Sequence, residues 1–275
     1  MAAEDMKNLP ELENEGPQSY RRPTPCQPKR GRVVNRALDA LLCGLFPEYC
    51  RLCGLRSHRP LPLCNACQSE FQANIVCCSR CAIPLPGSAQ RPADVLCGKC
   101  LHSPPPFDRV IAPWLYCEQL AYLIQRWKFH GERRLTPLLA SLWLMQVPGP
   151  SPVDVLIPVP LHWRRLWQRG FNQSELLARQ LRSSAHGPGA AALDHRCVRR
   201  SRATRPQSGM GAAQRARNLK GAFTVHHRYD NLRVAIIDDV FTTGATAAAM
   251  ADTLRGAGAD HVEVWCLART PAPGR

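Results

Sequence analysis

An acidic pair that ends an apolar run gives this sequence its clearest chemical signal. Asp238 and Asp239 follow the apolar residues 234–237, and a loop of small residues comes next. A buried parallel strand would deliver both carboxylates to its carboxyl end, where open α/β sheets bind their ligands. Two adjacent carboxylates at that edge can accept hydrogen bonds from neighbouring ribose hydroxyls. The pattern therefore predicts a sugar-binding acidic pair.

The loop after the acidic pair has the composition of a phosphate cradle. It comprises Thr242, Thr243, Gly244, Ala245 and Thr246. Its amides and hydroxyls point to the start of an alanine-rich helix, whose dipole favours an anion, and glycine lets a ligand approach the backbone. The alternative is a solvated acidic turn followed by an ordinary helix N-cap. The full pattern over residues 234–246 favours the ligand site.

Four Cys-x-x-Cys pairs form a second group, whose spacing is typical of metal ligands. Their members are Cys50, Cys53, Cys64, Cys67, Cys78, Cys81, Cys97 and Cys100. Each pair presents two thiolates to one ion, and two pairs complete a tetrahedral shell, so we predict two structural zinc ribbons. A shell made only of protein atoms leaves no open position for a substrate, which disfavours catalysis. Cys77 is an alternative ligand beside Cys78, but it does not keep the common spacing.

Three arginines follow a second strand-like run at residues 153–159. Arg164, Arg165 and Arg169 come after Pro160 in a segment that also holds two tryptophans. Clustered arginines suit a multiply charged phosphate group. The alternative is one solvated helix face whose arginine stems pack on the tryptophans.

The charge of the chain points to anionic partners. The net charge is +15, and residues 126–220 hold 17 Lys and Arg against 4 Asp and Glu. A field of that sign attracts phosphates on a small molecule or on nucleic acid. Residues 1–16 are acidic and polar, unlike a signal peptide, and the apolar run 37–46 is too short to span a bilayer. We therefore expect no membrane insertion and a cytoplasmic location, where thiols stay reduced and bind metals.

Alternating strand and helix patterns must position these groups. Strands are predicted at residues 107–116, 153–159, 193–198, 234–237 and 262–267, and helices at residues 118–129, 134–145, 171–182 and 246–255. Such alternation predicts an α/β fold with a mostly parallel sheet flanked by helices. Residues 105–271 form this domain, residues 34–104 a short helix at 34–45 and the double zinc ribbon, and residues 1–33 a disordered tail.

Over residues 47–270 the sequence resembles the ComF family, competence-associated proteins that include GntX-like members. The resemblance lies in segments 127–131, 157–162, 169–178 and 234–246, the last of which looks like the phosphoribosyl-pyrophosphate motif of type I phosphoribosyltransferases. It also includes Arg202, Thr204, Gln207, Arg215, Asn218 and Phe223. The resemblance implies a type I phosphoribosyltransferase-like domain that binds this donor with Mg²⁺. It further implies a role in DNA uptake or utilisation beside other uptake proteins.

The resemblance also assigns roles to residues. Asp238, Asp239 and Arg215 are the catalytic candidates, the loop 242–246 binds the 5-phosphate, and Arg164, Arg165 and Arg169 bind the pyrophosphate. In phosphoribosyltransferases a mobile loop corresponding to residues 199–218 closes over an oxocarbenium-like transition state, which excludes water and stabilises the leaving group. An exposed basic linker is the equal alternative for that segment.

Three functions fit these observations. The first is an enzyme that transfers phosphoribose to an acceptor that the sequence does not identify. The second is a catalytically idle module that binds single-stranded DNA through its basic surface and its ribbons. A ligand-sensing transcription regulator on the same fold is the third, and intact Asp238 and Asp239 favour retained ligand binding.

Overall fold

The computed structural model describes residues 48–87, 94–201 and 221–271. The predicted tail 1–33, the helix 34–45 and Arg215 lie outside the described residues. So do Cys26, Cys43 and the remaining predicted positions between residues 202 and 220.

The elements follow the predicted alternation. The strands are β1 (Arg109–Ile111), β2 (Trp114–Leu115), β3 (Val155–Pro158), β4 (Ala192–Leu193), β5 (Val198–Arg200), β6 (Phe223–Val225), β7 (Arg233–Ile237), β8 (Val240–Phe241), β9 (His261–Trp265) and β10 (Ala268–Arg269). The helices are α1 (Asn65–Ser69), α2 (Gly98–His102), α3 (Glu118–Phe129), α4 (Leu135–Gln146), α5 (Trp163–Arg169), α6 (Gln173–Ser183) and α7 (Ala245–Gly256). The predicted strand 107–116 is divided into β1 and β2.

A five-stranded parallel sheet forms the centre of the molecule. Its strand order is β1-β9-β7-β3-β4, and every neighbouring pair is parallel. Strand β7 lies in the middle and is buried from Val234 onwards. Because every strand points the same way, the residues after β3 and β7 emerge at one edge. The sheet therefore brings the acidic pair and the segment after Pro158 to the same edge.

Helices cover both faces of the sheet, as parallel sheets require. Alternate residues of β7 pack on opposite sides: Ala235 and Ile237 contact the core under α3, α4 and α6. Val234 and Ile236 contact the core under α7. Within the described residues, every helix is too short or too polar to traverse a lipid bilayer. The predicted parallel sheet with flanking helices is confirmed.

Two small sheets flank the main one. Strands β2, β10 and β8 form a parallel sheet in which Arg269 pairs with Phe241. Strands β5 and β6 form an antiparallel pair across which Arg200 faces Phe223. In the chain, β8 comes directly after β7 and β10 directly after β9. The sheet of β2, β10 and β8 therefore lies next to the loop that follows the acidic pair.

The cysteine-rich segment packs closely on the α/β domain. Phe71 meets Trp114 edge-to-face with ring centroids 5.6 Å apart, and Leu63 belongs to the same buried cluster as α3 and α4. The buried amide of Asn74 donates to the carbonyl oxygens of Ala82 (2.9 Å) and Ala112 (3.1 Å). The two predicted segments therefore share apolar core and buried hydrogen bonds.

Candidate functional site

The acidic pair is held rigidly at the carboxyl end of β7. The Asp238 amide donates to the carbonyl of Trp265 on β9 (2.9 Å). Asp238 Oδ1 accepts from the Asp239 amide (2.9 Å), and Asp239 Oδ1 accepts from the Val240 amide (2.6 Å). Backbone donors thus fix one oxygen of each carboxylate.

Polar side chains from two helices meet these carboxylates. Lys128 Nζ at the end of α3 lies 2.8 Å from Asp239 Oδ2, and the buried Gln173 Nε2 on α6 donates to the same oxygen (2.9 Å). The buried Ser174 hydroxyl lies 3.5 Å from Asp238 Oδ1. Asp239, with 6% of its surface exposed, is therefore neutralised within the protein.

The two carboxylates differ in their electrostatics. Burial and the adjacent charge of Asp239 raise the pKa of Asp238 from 3.8 to about 7, although the Asp239 amide and Lys128 oppose the shift. A carboxyl that titrates near neutrality can exchange a proton at physiological pH. Ligand hydroxyls or a cation that joined the pair would favour its ionised form.

The loop 242–246 lines a shallow depression that is open to solvent. Asp238, Phe241 and the loop residues form its lining. Gly244 adopts φ +78°, and an added Cβ would lie 2.7 Å from Phe241 Cζ, so a side chain is excluded by both conformation and space. Gly244 is also the N-cap of α7 and has no side chain, and Thr243 Oγ1 accepts a long hydrogen bond from the Ala245 amide (3.5 Å). The helix end is therefore open to an anion above the acidic pair.

The structure separates the three predicted arginines. Arg169 Nη1 donates to Gln173 Oε1 (3.0 Å), and burial lowers its pKa while the charge of Asp239 opposes that shift. Arg165 is close enough for its charge to lower the pKa values of Arg169 and Arg200. Arg164 instead stacks on the exposed ring of Trp163, with Cζ 5.2 Å from the centroid. Arg169 thus lies nearest the acidic pair, and Arg164 belongs to an outer face.

Sequence reasoning did not single out Lys128, Gln173 or Ser174 as site residues. Each lies inside a segment that carries the family resemblance, 127–131 or 169–178. A lysine beside a buried tryptophan at the end of an amphipathic helix is not part of any sequence motif that indicates a binding site. The available signal was the helical spacing of α6. Gln173 and Ser174 come four residues before Leu177 and Ala178, which places these two polar side chains on the core face of the helix.

The eight paired cysteines form two separate four-thiol clusters. One contains Cys50, Cys53, Cys64 and Cys67, and the other Cys78, Cys81, Cys97 and Cys100, with all Sγ atoms of a cluster within 4.8 Å of one another. Thiolates 2.3 Å from a tetrahedral zinc lie about 3.8 Å apart. The Cys53–Cys64 and Cys81–Cys97 Sγ atoms are 3.8 and 3.7 Å apart. Both clusters fit a structural zinc ion, and the predicted pairing is confirmed.

Backbone amides favour one thiolate in each cluster, that of Cys50 and that of Cys78, whereas burial and neighbouring thiols raise the pKa values of Cys67 and Cys100. Burial raises the pKa of Cys50, but amides of Cys53 and Cys64 outweigh it and bring that pKa to about 6. The Cys97 amide donates to Cys78 Sγ (3.3 Å). Cys77 stands outside both clusters, and the described cysteines form no disulfide. A zinc ion in each cluster would therefore have four cysteine ligands and no open coordination position.

Curated proteins resemble this chain over most of its length. DNA utilization protein YhgH of Salmonella typhimurium is 37% identical over 235 residues, covering 82% of this chain and 98% of that protein. Competence protein F of Haemophilus influenzae is 34% identical over 216 residues (75% and 90%). Competence protein ComFC of Bacillus subtilis is 27% identical over 135 residues (48% and 52%).

Other comparisons add little. No family model matches the chain. The solved purine phosphoribosyltransferase of Pyrococcus horikoshii is 19% identical and covers 52% of this chain and 75% of its own, with a TM-score of 0.26, which is too low to bear on fold or activity. The similarity to YhgH and competence protein F is sufficient by itself to assign the family, and it agrees with the resemblance found in the sequence motifs. The chain belongs to the ComF family of competence and DNA-utilisation proteins.

Proposed function

We propose that this protein binds phosphoribosyl pyrophosphate with Mg²⁺ in the cytoplasm and acts in DNA utilisation as a phosphoribosyltransferase-family protein. The observation that carries the proposal is that Asp238, with Asp239 next to it in the chain, lines an open depression formed by the loop 242–246 and the start of α7. The names of the YhgH and competence protein F relatives supply the biological process.

Each part of the donor has a complementary surface in this arrangement. The ribose hydroxyls would donate to the acidic pair, chiefly to Asp238 because Lys128 and Gln173 already contact Asp239 Oδ2. The 5-phosphate would accept from amides and hydroxyls of the loop 242–246. Arg165 and Arg169 supply positive charge toward the pyrophosphate. Arg215 remains a candidate for the same task from outside the described residues.

Magnesium prefers oxygen ligands and keeps several waters, so it needs few protein atoms. The Asp238 carboxylate, which lines the depression with Asp239 next to it in the chain, is an oxygen donor that fits it. Bound there, the metal would neutralise charge on the departing pyrophosphate. The residues of the chain bind the ribose, orient the C1–oxygen bond that breaks and hold the phosphate.

Isothermal titration with phosphoribosyl pyrophosphate and Mg²⁺ tests the proposal. Asp238→Asn/Asp239→Asn should weaken binding by ~2 kcal/mol or more, which is the scale of lost charge-assisted hydrogen bonds. Asp252→Asn, which removes an exposed carboxylate of α7, should bind like wild type. Equal binding by the double variant and wild type would remove the site assignment.

A second candidate function rests on a different surface. Phe129, Trp163 and Trp167 are 67%, 65% and 84% exposed, and Arg169 stacks on Phe129 with Cζ 4.9 Å from the centroid. Exposed aromatic rings beside arginines are the features that bind successive bases of single-stranded nucleic acid. This face supports single-stranded DNA as a partner, with or without phosphoribosyl transfer.

A further inference from the structure

A buried arginine at the end of the last strand joins the second cysteine cluster to the phosphate loop. Arg269 on β10 is 7% exposed. Its Nε donates to the carbonyl of Cys81 (3.1 Å), and its Nη1 donates to the carbonyl of Phe241 (3.1 Å). One guanidinium thus contacts a cluster residue on one side and β8 on the other.

Through Phe241, Arg269 is in indirect contact with the phosphate loop. Arg269 Cζ lies 5.1 Å from the Phe241 ring centroid, and the far side of that ring touches Gly244, where even a methyl group would clash. The ring also meets Phe107 edge-to-face with centroids 5.8 Å apart. The Phe241 ring, which Arg269 and Phe107 contact, therefore fills the space beside Gly244.

The contact with Cys81 depends on the metal cluster. A zinc ion with four thiolates carries a net charge of −2, and a buried guanidinium beside it supplies a compensating charge. Without an ion the Cys78–Cys81 turn loses its closure, and Arg269 loses both a fixed acceptor and its electrostatic partner.

We propose that Arg269 is a positioning residue through which metal occupancy of the second cysteine cluster, but not of the first, sets the shape of the phosphate loop. The inference rests on the proposed function, because the loop is taken to bind the donor's phosphate. Core packing joins the second cluster to the same region, because Ala82, next to Cys81, is buried in one apolar cluster with Phe107 and Phe241.

Matched single-ligand variants of the full chain test this coupling. Cys97→Ser removes one ligand of the second cluster, and Cys53→Ser removes one from the first. Amide hydrogen exchange of residues 240–246 should increase in Cys97→Ser and stay as in wild type in Cys53→Ser. Zinc content, measured by native mass spectrometry, should fall from two ions to one in each variant.

Ligand binding gives the second measurement. Phosphoribosyl pyrophosphate with Mg²⁺ should bind Cys97→Ser and Arg269→Lys at least 10-fold more weakly than wild type, and Cys53→Ser within 2-fold. Lysine retains the charge but cannot donate to both carbonyls at once. Because coupling is reciprocal, the donor should also slow zinc loss from the second cluster of wild type to a chromogenic chelator.

The outcomes separate the two proposals. If zinc-loaded wild type fails to bind phosphoribosyl pyrophosphate while loop exchange still responds to Cys97→Ser alone, the coupling stands and the proposed ligand is wrong. If wild type binds the donor and folded Arg269→Lys and Cys97→Ser bind it equally well with unchanged loop exchange, the coupling is overturned. An equal effect of Cys53→Ser on loop exchange also overturns it, since the specificity for the second cluster is then lost.

Discussion

Lys128 Nζ lies 2.8 Å from Asp239 Oδ2, so a cation at the end of α3 neutralises a carboxylate at the end of β7. The pair is mostly shielded from water, with side-chain exposures of 18% and 8%. Gln173 links the same carboxylate to Arg169. Two helices that are distant from β7 in sequence thus converge on one oxygen atom, and this network holds the acidic pair before any ligand binds.

Removal of the lysine should destabilise the fold. Lys128→Met leaves Asp239 buried without its cation, and we expect the free energy of unfolding to fall by about 1–3 kcal/mol, less than for a fully buried pair because Lys128 keeps some exposure. Urea unfolding measures the change. In the double variant Lys128→Met/Asp239→Asn much of the loss should be recovered, as a double-mutant cycle requires of interacting partners. Additive losses would show that the two residues do not interact.

Stability should depend on pH through Asp238. Its pKa rises on folding from 3.8 to about 7, so the folded state binds more protons than the unfolded state between these values. The contribution of Asp238 to the free energy of unfolding is therefore present below pH 4 and is lost as the pH rises through 7. Asp238→Asn should match wild type near pH 4 and exceed it by on the order of 2 kcal/mol above pH 7.

Urea unfolding across this pH range, without ligand or Mg²⁺, checks the expectation. Asp252→Asn is the control, because it removes an exposed carboxylate from α7. A difference between Asp238→Asn and wild type that stays constant from pH 4 to pH 8 would show that Asp238 titrates normally.

Much of the site was readable from the sequence because its signals are local. The apolar run of β7, the acidic pair and the threonine-rich loop are contiguous, and the regular cysteine spacing predicted both clusters. The contacts of Lys128 and Arg269 could not be read, because they join residues that only the strand order brings together. The sequence left open whether Trp163 and Trp167 are exposed stacking surfaces or core residues, because tryptophans are usually buried and only the structure decides.

Metal removal should affect the whole molecule. Leu63 and Phe71 of the cysteine-rich segment are buried in the same core as Trp114 and α4. Native mass spectrometry should show two zinc ions per chain. Chelation should then lower the midpoint of one cooperative thermal transition, since loss of bound metal is loss of folding free energy. A single ion per chain, or disulfides in protein purified under reducing conditions, would contradict the two-cluster assignment.

Single-stranded DNA should bind the face formed by Phe129, Trp163 and Trp167. Base stacking on aromatic rings contributes roughly 1–3 kcal/mol per base, so Trp163→Ala/Trp167→Ala should weaken binding of an oligothymidylate at least 10-fold. Leu166→Ala is the matched control, because it shortens an exposed apolar side chain of the same helix. Fluorescence anisotropy with a labelled oligonucleotide measures both.

Salt dependence separates stacking from charge on this face. Each phosphate neutralised contributes about 0.7 to the log–log slope for a single strand. Arg164→Glu/Arg165→Glu should therefore reduce the slope by roughly 1 to 1.5, whereas the tryptophan variant should leave it unchanged. Competition by phosphoribosyl pyrophosphate would mean that the strand enters the depression beside Asp238, and simultaneous binding would mean that it stays on the outer face. Binding that is undetectable at low ionic strength, or independent of salt, would remove DNA as a partner and leave the small-molecule function alone.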